Sequence, residues 1–179
     1  STALVREEGE AAYRCPNTIG CPPQIKGRIE HFIGRKAMDV DSLGEGKIDV
    51  LYQAGLVRRV ADLYQLDKEQ ILGLSKAIVN EATGDERIIS FQEKTVDNIL
   101  TGIALSKSQP FEKVLFGLGI RFVGETVAKK LAFHFKTMDA VMAADFETLN
   151  AVSEIGGVIA ERGLHRLEHR RHVPRMARV

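Results

Sequence analysis

No run of about 18 apolar residues occurs in the 179-residue chain, so no segment has the makings of a membrane-spanning helix. The first residues, Ser1-Thr2-Ala3-Leu4-Val5-Arg6-Glu7-Glu8, lack the basic start and apolar stretch of a secretory signal. They also lack an initiator Met, and the expectation is an excised piece of a cytoplasmic protein. A large excess of charge is missing too: 25 Lys and Arg stand against 24 Asp and Glu, a formal net of +1. That balance selects no polyionic partner by itself. There is no Walker loop, no His-Glu-x-x-His and no Gly-x-Ser-x-Gly, the signatures of P-loop nucleotide binding, zinc peptidases and serine hydrolases. Cysteine is nearly absent, with Cys15 and Cys21 alone.

What is present is an ordinary globular composition, 44% hydrophobic and 27% charged, in three regions. Residues 1–24 hold both cysteines and three of the five prolines. Residues 25–160 are dominated by helical periodicity. Residues 161–179 are rich in Arg and His and carry a net charge of +4, which leaves −3 for the first 160 residues. A polyanion site in the body must therefore be local, because the body as a whole repels anions weakly at long range.

In the middle region Ile25, Ile29, Phe32 and Ile33 follow the spacing of one helix face, as do Val96, Ile99, Leu100 and Ile103. Val127, Ala128, Leu131, Ala132 and Phe135 repeat it. Shorter helices are expected at 47–54, 60–65, 67–74, 111–118, 139–143 and 145–152, with Asp139 and Asp145 as N-caps. Strand patterns are nearly absent, apart from a small hairpin of Ala3–Val5 with Ala11–Arg14. The expected fold is all-α, built from many short helices.

Glycine turns recur between these helices. Leu43-Gly44-Glu45-Gly46 precedes one helix, Leu118-Gly119-Ile120-Arg121-Phe122-Val123-Gly124 a second, and Ile155-Gly156-Gly157-Val158 a third. A weaker instance without glycine is Ser90-Phe91-Gln92-Glu93-Lys94. The spacing is irregular, so the unit is a duplicated helix–turn–helix rather than a solenoid repeat. A glycine turn opening into a helix leaves the first N–H groups unpaired, and with the helix dipole these attract a phosphate oxygen. Several such turns on one face hold successive phosphates without reading a base. Lys47, Lys94, Arg121, Lys129 and Lys130 supply cations near the turns. Helices also end in glycine for purely structural reasons, and Lys129 and Lys130 taken alone read as a solvated face.

Two thiols cannot complete a tetrahedral structural zinc site, and His31, inside a helical pattern, adds one ligand at best. On spacing alone Cys15 and Cys21 are equally two free thiols, a disulfide or part of a metal site. A reducing compartment disfavours the disulfide. Asp39 and Asp41, beside a glycine turn, are expected to cap helices rather than to bind a metal.

The glycine turns resemble helix-hairpin-helix motifs, which bind DNA through backbone amides. A longer series, Arg14-Cys15-Pro16-Asn17, Cys21-Pro22, His31-Phe32, Arg35-Lys36-Ala37-Met38-Asp39-Val40, Glu93-Lys94-Thr95 with Asn98, and Ala128 after Gly124, resembles the bacterial NAD-dependent DNA ligases in the same order over about residues 1–160. The resemblance implies the second half of a zinc finger over 1–24, followed by a tandem helix-hairpin-helix domain over 25–160. It implies DNA contact at Gly44, Gly46, Gly119, Gly124, Gly156 and Gly157. Cys15 and Cys21 become half of a four-cysteine zinc site, weakly filled or empty, while NAD and Mg bind elsewhere in the parent protein. The expected partner is duplex DNA, preferably nicked, bound by a monomer without sequence preference.

The adenylating Lys-x-Asp-Gly string of the family does not occur, since Lys36-Ala37-Met38-Asp39 has the wrong spacing, so the chain alone is expected not to ligate. About 76–89 reads as an insertion relative to the family, a solvated loop. The stretch after Ala160 departs from the family, for which a vector-derived or frame-altered tail is one explanation, and as a basic tail it is expected to bind nucleic acid non-specifically. The other readings are a helical protein-interaction scaffold, and a helix-hairpin-helix module of a repair nuclease or branch-migration protein. Gly119→Val and Gly124→Val are expected to weaken DNA binding while helix content survives.

Overall fold

A computed structural model describes residues 2–6, 11–79, 84 and 86–152. Gly156, Gly157 and the 161–179 tail lie outside the described residues.

The first helix, α1 (Pro22–Ile33), starts where Pro22 and Pro23 fit the first helical positions and stops at Gly34. It buries Ile25, Ile29, Phe32 and Ile33, the face that periodicity predicts. After α2 (Glu45–Gln53), a 3₁₀ helix (Val60–Gln65) and one helical turn, α3 (Lys68–Ile71), complete the approach to a two-stranded sheet. Then α4 (Glu93–Ser106), α5 (Phe111–Gly117), α6 (Glu125–Phe135), α7 (Met138–Ala143) and α8 (Phe146–Ala151) follow.

The described residues form a mainly helical molecule, and five expectations need correction. Residues 76–89 are not simply a loop: β1 (Ser75–Val79) and β2 (Glu86–Ser90) pair antiparallel, with Ser75 opposite Ser90 and Val79 opposite Glu86. The helix expected over 67–74 stops at Ile71, because the chain must turn to start β1. Thr137, not Asp139, caps α7, its hydroxyl accepting from the Ala140 N–H at 3.2 Å; Asp145 caps α8 as expected, at 2.8 Å from the Thr148 N–H. Asp39 and Asp41 cap no helix, since Gly44 occupies the cap of α2. The N-terminal hairpin reduces to one bridge, Val5 with Arg14.

Two apolar clusters organise the body. The first gathers α1, α2, the 3₁₀ helix and α4 around Phe32, Leu51, Phe91 and Ile99; the second gathers α5 to α8 around Leu115, Ile120, Leu131 and Val141. They meet where α5 lies on α1. A Cβ at Gly117 would sit 3.2 Å from both the Ala37 Cβ and the Phe32 ring, so glycine is what lets α5 approach this closely. The one strongly buried polar side chain described, Ser106, is satisfied by the Ile103 carbonyl at 2.8 Å and the Tyr64 hydroxyl at 3.0 Å.

The sheet is tied down by charge as well as packing. Asp49 on α2 accepts from Lys26 of α1 at 2.8 Å and Lys76 of β1 at 2.6 Å. The Lys26 hydrogen bond, then that of Lys76, holds the Asp49 carboxyl below its ordinary value. A group depressed in the folded state stabilises above its unfolded pKa and loses that contribution as pH falls through the folded one. Stability should therefore decline in acid below the ordinary carboxylate range. Asp49→Asn should lower it at neutral pH and flatten that decline, which urea titrations at several pH values would measure.

Candidate nucleic-acid interface

The turns before α2 and α6 have the same backbone path, position by position. Asp39 and Gly119 have φ of +52° and +60°, and Ser42 and Phe122 have φ of +64° and +67°. Between them Val40 and Ile120 point into their respective clusters, and Leu43 and Val123 do so again one residue before the cap. Gly44 (φ −102°, ψ 177°) and Gly124 (φ −77°, ψ −179°) are the two N-caps. Each is followed by glutamate, Glu45 or Glu125, and then by buried Ile48 or Ala128. The sequence strings conceal this equivalence: Leu43-Gly44 corresponds to Val123-Gly124, not to Leu118-Gly119.

Neither cap needs glycine for its own conformation, since both are extended, and a Cβ at either would meet no atom within 4 Å. The space beside both cap glycines is therefore open. No side chain caps them, and they have no intrahelical acceptor. Two open donor clusters, each at the positive end of a helix dipole, therefore have room for an anion.

Gly119 is a different case. Its φ of +60° is the left-handed region, where a side chain strains the backbone, and a Cβ there would also lie 3.4 Å from the His31 ring. Gly119→Ala should cost about 1–2 kcal/mol, readable as a lower melting temperature. Gly119→Val is thus expected to damage folding, so Gly124→Val is the cleaner probe of binding.

Residues 31–36 connect the two turns. The His31 ring hydrogen-bonds the Phe116 carbonyl at 2.9 Å, Lys36 reaches Glu125 at 3.4 Å, and Arg35 lines the groove beside Gly44. Lys129 also pairs with Glu125, at 3.2 Å, and these two lysines, Lys129 first, lower the Glu125 carboxyl below its ordinary value.

The other predicted cations divide. Arg121 sits in the second turn with its guanidinium 4.7 Å from the centre of the Phe122 ring. Phe122 is 42% exposed despite its size. Lys47 is folded back, donating to the Ser42 carbonyl at 2.6 Å, and desolvation lowers its ammonium pKa; it braces the first turn from within. Lys94 is exposed on the first turn of α4, and Lys130 is half-buried on α6. The weaker instance keeps the register of the other two turns, with buried Phe91, Gln92 as cap and Glu93. Its approach, however, is the end of β2 rather than a glycine turn.

Cys15 and Cys21 are both free thiols, half-buried, beside the start of α1. The Gln24 backbone N–H is the main cause holding the Cys21 thiol below its ordinary value, and the Cys15 thiol adds to it. Two thiols are half of the four ligands that a tetrahedral structural zinc site needs. Among the described residues no group of three or more His, Cys, Asp or Glu is placed to hold a metal. The residues present fit half of such a site.

Residues 113–169 match the helix-hairpin-helix motif, which places the second turn and its helices in that class of protein. Residues 1–22 match the C4 zinc finger domain of NAD-dependent DNA ligases. The chain is 53% identical over 158 residues to a DNA ligase of Phocaeicola vulgatus and 52% identical over 157 residues to one of Bacteroides fragilis. Each alignment covers 88% of this chain and 22% of the relative. A DNA ligase of Porphyromonas gingivalis is 47% identical over 165 residues, 92% of this chain and 22% of its own length. The chain is homologous to a region of the DNA ligases along most of its length and spans about a fifth of the length of these relatives. No helix among the described residues is long and apolar enough to cross a membrane.

Proposed function

We propose that this chain is a duplex-DNA-holding part of a cytoplasmic NAD-dependent DNA ligase, which seals nicks during replication and repair. The observation that supports this most strongly is the pair of turns with matching left-handed positions, each ending in an unobstructed glycine cap. Both flank residues 31–36. Each helix N-terminus takes one backbone phosphate, with Arg121 and Lys129 beside the second. Gly46 stands in the first turn of α2, where a side chain would crowd the approaching strand. Lys94 and Lys130 add long-range attraction at the margins, and Gly156 and Gly157, outside the described residues, are assigned the same role from the sequence alone.

The fragment contributes binding rather than chemistry. The adenylating lysine string is absent from its sequence, and NAD and Mg act elsewhere in the parent protein. In the whole protein Cys15 and Cys21 are two ligands of a structural zinc. The ion would fix residues 1–24 against the start of α1, where Cys21 caps the helix.

Fluorescence anisotropy of a nicked duplex over a salt series tests the reading. Affinity from phosphate contacts should be equal for unrelated sequences and fall linearly in a log–log plot, with a slope of about −0.9 per phosphate neutralised. Binding that is insensitive to salt would sink it, and the helical body would then be a protein-interaction scaffold.

A further inference from the structure

The first turn lacks the charge that the second has. Where the second carries Arg121, the equivalent position in the first is Asp41, and Lys47 is committed to the Ser42 carbonyl. Asp39, Asp41 and Glu45 all line the open groove of about 860 Å³ beside Gly44. A phosphate entering there meets carboxylates, so its countercharge must come from outside the turn, where Arg35 on one wall is a single cation against three acidic groups.

Strand β2 forms the other wall of that groove and brings Arg87 into its lining. The strand is held firmly at its base. The Gly73 N–H donates to the Phe91 carbonyl at 2.9 Å, the Phe91 N–H donates to the Leu74 carbonyl at 2.8 Å, and Lys76 is anchored on Asp49. Ile89 packs against the first apolar cluster. Alternation along the strand puts Arg87 on the same face as Ile89, about 6.6 Å further out. Ile88 lines the same groove and is 68% exposed.

We propose that β2 is a second DNA-contact element, in which Arg87 pairs with a backbone phosphate of the duplex held at Gly44 and Ile88 lies against its minor-groove edge. Minor-groove proteins combine these two side-chain types, a basic group on the backbone or groove floor and an apolar one against the sugars and base steps. The hairpin thereby restores at the first turn the positive charge that Arg121 supplies at the second. The inference rests on the reading of the glycine turns as phosphate sites.

The test measures nicked-duplex binding by anisotropy across a salt series, using the full chain and its Arg87→Gln, Arg87→Lys, Ile88→Ser and Gly124→Val variants. Circular dichroism and urea unfolding confirm that each is folded. Arg87→Gln should weaken binding roughly three- to tenfold at low salt and reduce the log–log slope by about 0.9. Arg87→Lys should keep the slope, and Ile88→Ser should weaken binding without changing it. If Arg87→Gln and Ile88→Ser bind as wild type while Gly124→Val does not, the hairpin does not touch DNA and the glycine-turn reading stands. If Gly124→Val also binds as wild type, both fail.

Discussion

Gly124→Val should weaken binding of a nicked duplex at least tenfold while leaving the far-UV helix signal unchanged. The second half follows from the backbone: φ of −77° and ψ of −179° suit a β-branched residue, and a Cβ there meets no atom within 4 Å. The first half follows from what the side chain would cover. A hydrogen bond to a charged group contributes about 1.5–3 kcal/mol, so blocking one N–H···phosphate contact corresponds to roughly one to two orders of magnitude in affinity. Gly44→Val has the same extended backbone and open space, and should act in the same direction. The double variant should approach the loss expected from removing both cradles. Wild-type affinity in the double variant would mean that the N-termini of α2 and α6 do not hold phosphate.

Phe32→Ala should be the most destabilising single change, by about 3–5 kcal/mol. Phe32 is fully buried, meets Tyr64 edge-on with ring centroids 6.3 Å apart, and lies under Gly117 where α5 crosses α1. Truncation opens a cavity at the junction of the two apolar clusters, which backbone on both sides prevents from collapsing. For a domain of ordinary stability, about 5–15 kcal/mol, this is a large fraction. Because residues 31–36 also connect the two glycine turns, DNA affinity should drop with it near the unfolding midpoint. A loss below about 1 kcal/mol in urea titration, far short of the usual aromatic-to-alanine cost, would show that the α1–α5 junction is not closely packed.

The long amphipathic helices were legible because each carries its own pattern. The buried faces of α1, α4 and α6 are the residues that periodicity selects, and their burial needs no knowledge of the partner surface. The strands were not legible. Five residues of β2 alternate too briefly to register, and the hairpin is secured by Lys76 on an aspartate 27 residues earlier in the chain. Asp139 looked like a cap for α7 because Asp favours that position, yet the helix starts one residue after Thr137, whose hydroxyl takes the role.

By itself the sequence determined that this is a chain of short helices punctuated by glycine turns, with two cysteines, no catalytic string and the ordered motifs of a ligase family. Those features are local: periodicity, cap chemistry and residue identity act within a few positions. Tertiary structure decided which turns are equivalent, because equivalence lies in φ, ψ and burial rather than in letters. It also decided that Lys47 braces its own turn, that residues 31–36 connect the two sites, and that β2 brings Arg87 to the acidic one. Each of these is a contact between segments distant along the chain, and no local preference specifies which segments packing brings together.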